Sequence, residues 1–308
     1  MKDGARFVWI VVLKATINEM VGFEGLLKFD ISLFLTHNQR KGDNMTVITK
    51  YPKQTKKGNK IFFEKKDREL TNLDWAKWAG WFDTDGSFST GVKRPREKRA
   101  EIQLKDKQPV ELFSKTFETS LTYRECKTIT PEPYRHEYLA KVYKASLWAE
   151  KVHWFTRNVY PYLLKEEKKD YAARLLGYHP ESKNPDDWSP EEVINYSATA
   201  MEGDGSFQLS GLKDTGIRAS LRSSDAQYLA NVQRLIENKS HLRTGFIKAK
   251  NYQTQEGVVR TQYDLYLMCS YNGGSRVNRS FFQNLLKDGV MTLDRKKQKI
   301  YKFIHAME

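Results

Sequence analysis

The chain has 308 residues, 39% of them hydrophobic, which is enough for about two packed domains. Its 52 Lys and Arg residues outnumber 38 Asp and Glu residues, so the formal net charge is +14. This excess indicates a polyanionic partner, either nucleic acid or an acidic membrane surface. The longest apolar run covers residues 7–13, whereas a membrane span needs about 20 residues. We therefore expect no membrane partner, no export signal, and an intracellular location whose compartment stays open.

Residues 1–70 are predicted to form an N-terminal extension of unknown role. The part up to about residue 36 is apolar enough to pack, whereas residues 38–60 are polar and rich in Gly and Lys. Met45 offers an alternative start within this extension. The pattern from which fold and function can be inferred begins after it.

An identical tetrapeptide, Asp-Gly-Ser-Phe, occurs at residues 85–88 and again at residues 204–207. Each copy follows a stretch of apolar and small residues, 78–84 in the first case and 197–203 in the second. A tetrapeptide can recur by chance, but chance does not supply a repeated context. The sequence therefore predicts one structural unit that is repeated after 119 residues.

Each tetrapeptide lies at the end of a predicted helix. Thr71 and Ser189 are N-cap residues followed three positions later by an acid, which is the capping-box pattern. These caps precede Asp85 and Asp204 by 14 and 15 residues, the length of a helix of about four turns. The two Asp residues are therefore expected at equivalent helix ends, where the following Gly lets the backbone leave the helix.

Downstream of each helix the sequence changes to a period of two, which is typical of half-buried strands. Both repeats then follow the order helix, two strands, helix, two strands, helices, which predicts an α+β fold. The later helical segments are residues 109–117 and 226–236, the later strands lie around 138–145 and 263–270, and the final helices start at 165–169 and 295–299. The first repeat is assigned to residues 71–176, a linker to 177–188, and the second repeat to 189–308.

Asp85 and Asp204 are the candidate catalytic residues. Small residues such as Ala79 and Gly80 would let the two helices pack side by side, which would bring both carboxylates to a pseudo-two-fold axis. Two neighbouring carboxylates repel each other unless a cation lies between them, and oxygen ligands favour Mg²⁺. Two metal positions of this kind suit phosphodiester hydrolysis.

The paired motifs, residues 78–86 and 197–205, resemble the two signature helices of single-chain LAGLIDADG homing endonucleases, and the resemblance extends over residues 71–308. It implies two tandem αββαββα repeats that form a pseudo-two-fold saddle of antiparallel strands over double-stranded DNA, in a monomer. It also implies a Mg²⁺-dependent double-strand cut at a long, nearly asymmetric site, with two or more ions at the repeat interface.

The resemblance also implies roles for individual residues. Asp85 and Asp204 match the family's metal ligands, and Thr84 and Gly203 match the preceding position, whose backbone carbonyl can face the metal. Lys168 and Lys296 are the nearest matches to a basic residue that supports the scissile phosphate, which places them in the catalytic set.

The second signature departs from the family pattern at two positions. Thr199 stands where the signature has Gly, and Ser197 stands where it has Leu. Thr in place of Gly is expected to push the two helices slightly apart, which would weaken catalysis without removing the acids.

The outward faces of the predicted strands carry Arg, Lys and Gln side chains, which can hydrogen-bond base edges in a major groove. Trp75, Trp78, Trp81 and Trp148 are instead expected in the core. The predicted DNA-binding set is Lys93, Arg94, Arg96, Lys98, Arg99, Gln103, Lys105, Gln208, Ser210, Lys213, Arg218, Arg222, Lys248 and Lys250.

Two other functions fit the same scaffold. One is an RNA-binding maturase that helps its own intron RNA to fold, and the presence of both acids favours cleavage over this role. The other is a non-cleaving DNA-binding regulator, which would need a further binding domain that residues 1–70 do not clearly provide.

Overall fold

The protein folds into two repeats with the same order of elements. The computed structural model describes residues 69–90, 97–129, 137–210, 215–240, 243–245, 247–254, 257–270 and 278–306. The predicted N-terminal extension lies outside these residues, except for its last two positions. The predicted DNA-binding residues Lys93, Arg94, Arg96 and Lys213 also lie outside them.

The elements of the two repeats correspond one to one, apart from short 3-10 turns. The first repeat contains α1 (Asn72–Thr84), β1 (Gly86–Ser89), β2 (Arg99–Leu104), α2 (Lys107–Thr116), β3 (Leu121–Ile129), β4 (Glu137–Trp148), α3 (Glu150–Val159) and α4 (Glu166–Leu176). The second contains α5 (Pro190–Gly203), β5 (Gly205–Ser210), β6 (Gly216–Ser223), α6 (Ala226–Ser240), β7 (Ile247–Gln253), β8 (Val259–Ser270), α7 (Arg279–Leu285) and α8 (Asp294–His305).

The predicted helix starts are confirmed in atomic detail. The Asp74 side chain accepts a hydrogen bond from the Thr71 backbone N–H at 2.9 Å, and the Thr71 hydroxyl accepts the Asp74 N–H in return. The same reciprocal pair joins Ser189 and Glu192 at the start of α5, at 2.7 and 3.2 Å. Both signature helices therefore begin at a closed capping box.

Each repeat contains one four-stranded antiparallel sheet. The strand orders are β1-β2-β4-β3 and β5-β6-β8-β7. The registers also correspond, since Gly86 pairs with Ile102 in the first sheet and Gly205 pairs with Leu221 in the second. The predicted fold class, α+β with two tandem αββαββα repeats, is confirmed.

None of the described helices is both long enough and apolar enough to cross a bilayer.

The core lies around the two signature helices. Trp75, Trp78 and Trp81 on α1 are all buried, as predicted. Trp148 was expected in the core as well, but this prediction is wrong, because 44% of the residue is exposed. It ends β4 on the outward face of the sheet, where the Arg99 guanidinium lies 5.6 Å from its ring centre.

The two repeats meet where α1 packs along α5. Gly80 and Thr199, which occupy equivalent positions in the two signatures, face each other across this interface, because a Cβ atom on Gly80 would overlap the Thr199 hydroxyl and the Tyr196 carbonyl. The Thr199 hydroxyl donates a hydrogen bond to the Lys77 carbonyl oxygen of the other helix at 2.7 Å. Thr199 thus bonds the two helices together, in a space that Gly80 provides.

This contact predicts a coupled stability effect. Gly80→Ala should lower the free energy of unfolding by about 1–3 kcal/mol, because the added methyl group has no room. The cost should be smaller in a Thr199→Ala background, since one of the two overlapping atoms is then absent. Urea unfolding of both single variants and the double variant measures the coupling, for which we expect at least about 0.5 kcal/mol. Strictly additive effects would contradict the assigned contact.

Candidate functional site

Asp85 and Asp204 are the residues at which α1 and α5 end. The Asp85 backbone N–H donates to the Trp81 carbonyl oxygen at 2.9 Å, and the Asp204 N–H donates to Ala200 at 3.2 Å. Both residues are therefore held by the last turn of their helix, and a strand begins at the next residue, Gly86 or Gly205. The hydrogen-bonded backbone fixes where each carboxylate can project.

The structure brings the predicted metal ligands together across the repeat interface. A Cβ atom on Gly203 would lie 2.7 Å from Asp85 Oδ2 and 2.7 Å from Thr84 Cβ. The Asp85 carboxylate thus lies against the residue directly before Asp204. Gly203 leaves the space that this carboxylate uses, so the side chains of Thr84 and Asp85 lie against the end of the other signature helix.

The environment of both helix ends raises the pKa values of the two acids. Burial and, second, the negative charge of Asp204 raise the pKa of Asp85 to about 6, although the charges of Lys296 and Lys168 oppose the shift. Partial desolvation also raises the pKa of Asp204, although this residue keeps an exposed surface. Two acids with raised pKa values at one position are typical of a functional site.

The donor set fits a hard cation with few protein ligands. Within the described residues no group of three or more His, Cys, Asp or Glu side chains could enclose a metal ion. Mg²⁺ does not need such a cage, because it commonly keeps several waters and binds one or two carboxylates together with substrate phosphates. Two carboxylates at adjoining helix ends match this requirement.

The first acid of each signature has a structural role that the sequence reasoning missed. Asp83 is fully buried and accepts hydrogen bonds from the backbone N–H groups of Leu164 and Lys165, at 2.7 and 3.3 Å, just before α4. The Tyr196 hydroxyl of the other repeat donates to the same carboxylate at 2.6 Å. Burial raises the pKa of Asp83 to about 6 in spite of these hydrogen bonds.

Glu202 does the same in the second repeat. Its carboxylate accepts backbone hydrogen bonds from Thr292, at 2.6 Å, and from Leu293, directly before α8. The signal was present in the sequence, because an acid precedes the candidate catalytic Asp by two positions in both copies. Each first acid thus fixes the start of the last helix of its own repeat.

Lys168 and Lys296, the predicted catalytic lysines, lie at equivalent positions in these last helices. The Lys168 ammonium donates to the Gly86 carbonyl oxygen at 2.6 Å. The Lys296 ammonium donates to three carbonyl oxygens at the end of α5, those of Met201, Glu202 and Gly205, at 2.8, 2.5 and 2.8 Å. Burial lowers the pKa of Lys168, and it lowers the pKa of Lys296 to about 8.

The outward face of the first sheet carries fewer free cations than the sequence indicates. Arg99 forms an ion pair with Glu101 at 2.8 Å, and Lys98 donates to the Leu175 carbonyl at the end of α4 at 2.9 Å. The Lys105 ammonium lies over the ring of Tyr138. Gln103 is exposed on the outward side of β2.

The outward face of the second sheet is more basic. Gln208, Ser210, Arg218 and Arg222 project from it along β5 and β6, and Lys248 and Lys250 are exposed on β7. Arg218 donates a hydrogen bond to the side chain of Gln208.

A buried acid orders two of these cations. Asp264 on β8 is 1% exposed and bonds Arg222 at 2.8 Å and Lys250 at 2.6 Å. The Tyr266 hydroxyl also donates to this carboxylate, at 3.0 Å. The hydrogen bonds from Arg222, Lys250 and Tyr266 lower the pKa of Asp264 in spite of its burial. The two cations are therefore held in place while about half of each side chain remains exposed.

Sequence reasoning missed part of this surface. Arg124 on β3, Lys144 on β4 and Arg260 on β8 occupy outward positions beside the predicted residues, as their register shows. The period-two pattern of the later strands could have found them, because residues paired across an antiparallel ladder share a face.

Fold and site together define a class of protein. Two tandem αββαββα repeats, joined by signature helices that end in neighbouring carboxylates, are the arrangement that the resemblance implied. The chain has a LAGLIDADG fold.

Two solved structures are similar to the chain. The homing endonuclease I-WcaI bound to its DNA recognition sequence is 13% identical, with a TM-score of 0.45, over 75% of this chain and 87% of that chain. The N-terminal LAGLIDADG domain of DUF199/WhiA is 9% identical, with a TM-score of 0.34, over 70% of this chain and 82% of that chain. No protein-family profile matches the chain, and no curated protein matches its sequence significantly.

The raised pKa of Asp85 predicts that this residue destabilises the fold at neutral pH. A native-state pKa of about 6, above the ordinary value of 3.8, means that the folded state binds more protons between these values, so stability falls as the pH rises through this range. Asp85→Asn should therefore increase the free energy of unfolding by about 1 kcal/mol at pH 7.5 without divalent metal.

The gain should be much smaller at pH 4, where Asp85 is protonated in the folded state and, with an ordinary pKa of 3.8, partly protonated in the unfolded state. Thermal unfolding at pH 4 and pH 7.5 in a chelating buffer measures it. Asp187→Asn, which changes an exposed acid between the repeats, is the matched control and should leave the melting temperature unchanged. A destabilised Asp85→Asn protein at pH 7.5 would refute the electrostatic assignment.

Proposed function

We propose that the protein is a site-specific DNA endonuclease that cuts both strands of a duplex by Mg²⁺-dependent phosphodiester hydrolysis. The observation that carries the proposal is the close approach of the Asp85 carboxylate to Gly203, the residue directly before Asp204, where two packed helices end, one from each repeat. Equivalent carboxylates from two repeats suit two equivalent reactions, one on each strand. Both carboxylates belong to one chain, so the proposed enzyme acts as a monomer.

The proposed metal ligands are the carboxylates of Asp85 and Asp204, with the carbonyl groups of Thr84 and Gly203 beside them. Bound Mg²⁺ would supply an activated water and stabilise the leaving oxygen of the phosphodiester. The raised pKa values of both acids support this role, because a bound cation would favour the charged forms that burial disfavours.

Lys168 and Lys296 are assigned as positioning residues. Their ammonium groups bind the carbonyl oxygens of Gly86 and Gly205, the residues that directly follow the two catalytic acids. They fix the turn that aims each carboxylate and add positive charge beside it. The three carbonyl partners of Lys296 occupy all three of its donors.

A duplex partner is supported by the outward sheet faces and by the net charge of +14. Equivalent positions on the two faces carry different side chains, since the pair Gln103 and Lys144 in the first sheet corresponds to Arg222 and Asp264 in the second. Different donors and acceptors read different bases. The proposed target is therefore not a palindrome.

The central test is cleavage of a selected duplex. Duplexes that bind the protein in Ca²⁺ are selected from a randomised library, and the best of them is then incubated with Mg²⁺. The wild-type protein should cut both strands, and removal of Mg²⁺ with a chelator should stop the reaction. Asp85→Asn and Asp204→Asn should abolish double-strand cleavage while changing the dissociation constant by less than about tenfold, because the acids hold metal rather than bases.

Normal cleavage by both variants would refute the active-site assignment. A wild-type protein that binds its selected duplex but never cuts it would instead be a DNA-binding regulator. Preference for structured intron RNA over every duplex would favour the maturase role.

The basic sheet face predicts a defined salt effect. Arg218→Ala should weaken duplex binding and lower the slope of log affinity against log salt by about one, because one phosphate contact is lost. Arg234→Ala is the matched control, since this exposed Arg lies on α6, which packs under the same sheet. Binding measured between 50 and 300 mM salt separates the two variants. Equal effects of both would show that only total charge matters.

A further inference from the structure

One side chain of each signature helix crosses the interface between the repeats. Lys77 on α1 and Tyr196 on α5 are 119 residues apart, which is the offset of the repeat, so they occupy equivalent positions. Both are buried, with 7% and 0% of the residue exposed. Buried polar groups require hydrogen-bond partners, and each of these two residues has one in the opposite repeat.

Tyr196 acts on the first repeat. Its hydroxyl donates to Asp83 at 2.6 Å, and the same carboxylate accepts the backbone N–H groups of Leu164 and Lys165, directly before α4. The Tyr228 hydroxyl lies 3.4 Å from the Tyr196 hydroxyl, and it can donate to Tyr196 while Tyr196 donates to Asp83. Tyr196 of the second repeat therefore holds the start of α4 through Asp83.

Lys77 makes the reciprocal contact with the second repeat. Its ammonium donates to the Gly289 carbonyl oxygen at 2.5 Å, in the turn before α8. Burial raises the pKa of Glu202, and the backbone hydrogen bonds from Leu293 and Thr292 and the positive charge of Lys77 oppose this rise. Lys77 of the first repeat therefore lies near the acid that binds the start of α8, and it holds the turn that leads into this helix.

The last helices in turn reach the backbone beside the catalytic acids. Lys168 on α4 donates at 2.6 Å to the carbonyl oxygen of Gly86, the residue that follows Asp85. Its equivalent on α8, Lys296, makes the same bond to Gly205 at 2.8 Å. A shift of either helix start would move the turn that aims the neighbouring carboxylate, and a displacement of about 1 Å can lower a reaction rate severely.

We propose that Tyr196 and Lys77 are positioning residues, each of which fixes the reaction geometry of the opposite repeat. Tyr196 fixes the start of α4 and with it the Asp85 carboxylate. Lys77 fixes the start of α8 and with it the Asp204 carboxylate. The consequence for cleavage rests on the proposed endonuclease function, whereas the fixing of the two helix starts is independent of it.

Hydrogen exchange tests the two contacts without DNA. Tyr196→Phe removes only a hydroxyl, and Lys77→Met removes only an ammonium group. By mass spectrometry of peptides, Tyr196→Phe should speed exchange in residues 162–168 by at least about fivefold and in residues 290–296 by less than about twofold. Lys77→Met should give the opposite pattern. Equal acceleration at both helix starts, or no acceleration, would overturn the proposal.

Two variants of matched chemistry serve as controls. Tyr266→Phe removes a hydroxyl that donates to the buried Asp264 at 3.0 Å. Lys151→Met removes an ammonium that donates to the Phe117 and Glu118 carbonyl oxygens, both at 3.0 Å. Both variants should leave exchange at the starts of α4 and α8 within about twofold of the wild-type rate. The same acceleration in a control as in its matched variant would indicate a general loss of stability and overturn the assignment.

Cleavage tests the consequence for the reaction. On a supercoiled plasmid with the selected site, Tyr196→Phe and Lys77→Met should each slow the cutting of one strand by at least about fivefold more than that of the other. End-labelled strands should show that the slower strand differs between the two variants. A purely structural role would lower both rates together, so equal slowing, or the same slow strand in both variants, would overturn the positioning role.

The two measurements separate failure of this proposal from failure of the proposed function. A wild-type protein that cuts no duplex would refute the endonuclease function, and the exchange pattern alone would then decide whether each residue fixes the opposite repeat. Opposite exchange patterns together with equal cutting of both strands would support the two contacts and overturn their effect on the reaction.

Discussion

The close approach of α1 and α5 is the constraint on which both fold and candidate site depend. Gly80 and Thr199 are equivalent in sequence but face each other in space, so only one of them has to be small. The expectation that Thr199 pushes the helices apart did not consider that the two positions face each other. The larger side chain in the second signature fits because the first signature has Gly at the facing position. Two copies of α5 packed on each other would place Thr against Thr. The interface therefore favours the pairing of unlike repeats, which one chain provides.

The four acids at this junction divide the structural and chemical tasks between them. Asp83 and Glu202 accept backbone hydrogen bonds at the start of the last helix of each repeat. They thereby position the helices that carry Lys168 and Lys296. The second acids of the signatures are left to repel each other. All four have raised pKa values, so they cost stability at neutral pH. A stability cost of this kind is typical of residues that a fold keeps for a function.

The repeat, the capping boxes and the strand order were predictable because they are local patterns, which a period or a fixed spacing reveals. The environment of each charge was not, because it depends on residues far along the chain. Lys296 lies in a charge run that resembles solvated surface, yet its ammonium is buried against the end of α5. Trp148 has a large aromatic side chain of the kind that is usually buried, but its position in the register of β4 places it on the outward face of the sheet. Periodicity predicts which face a residue occupies only where the strand is recognised.

Duplication explains both what the two repeats share and where they differ. The two repeats share a backbone scaffold with the same capping boxes, sheet registers and buried acids. Changes in these features would disturb the interface between α1 and α5. The variable part consists of outward side chains, such as Gln103 in the first sheet and Arg222 at the equivalent position of the second. A symmetric dimer would have to change both halves of its surface together. Because this chain carries both repeats, a side chain on one outward face can change while the equivalent position on the other face stays as it is, so the two faces need not be chemically alike.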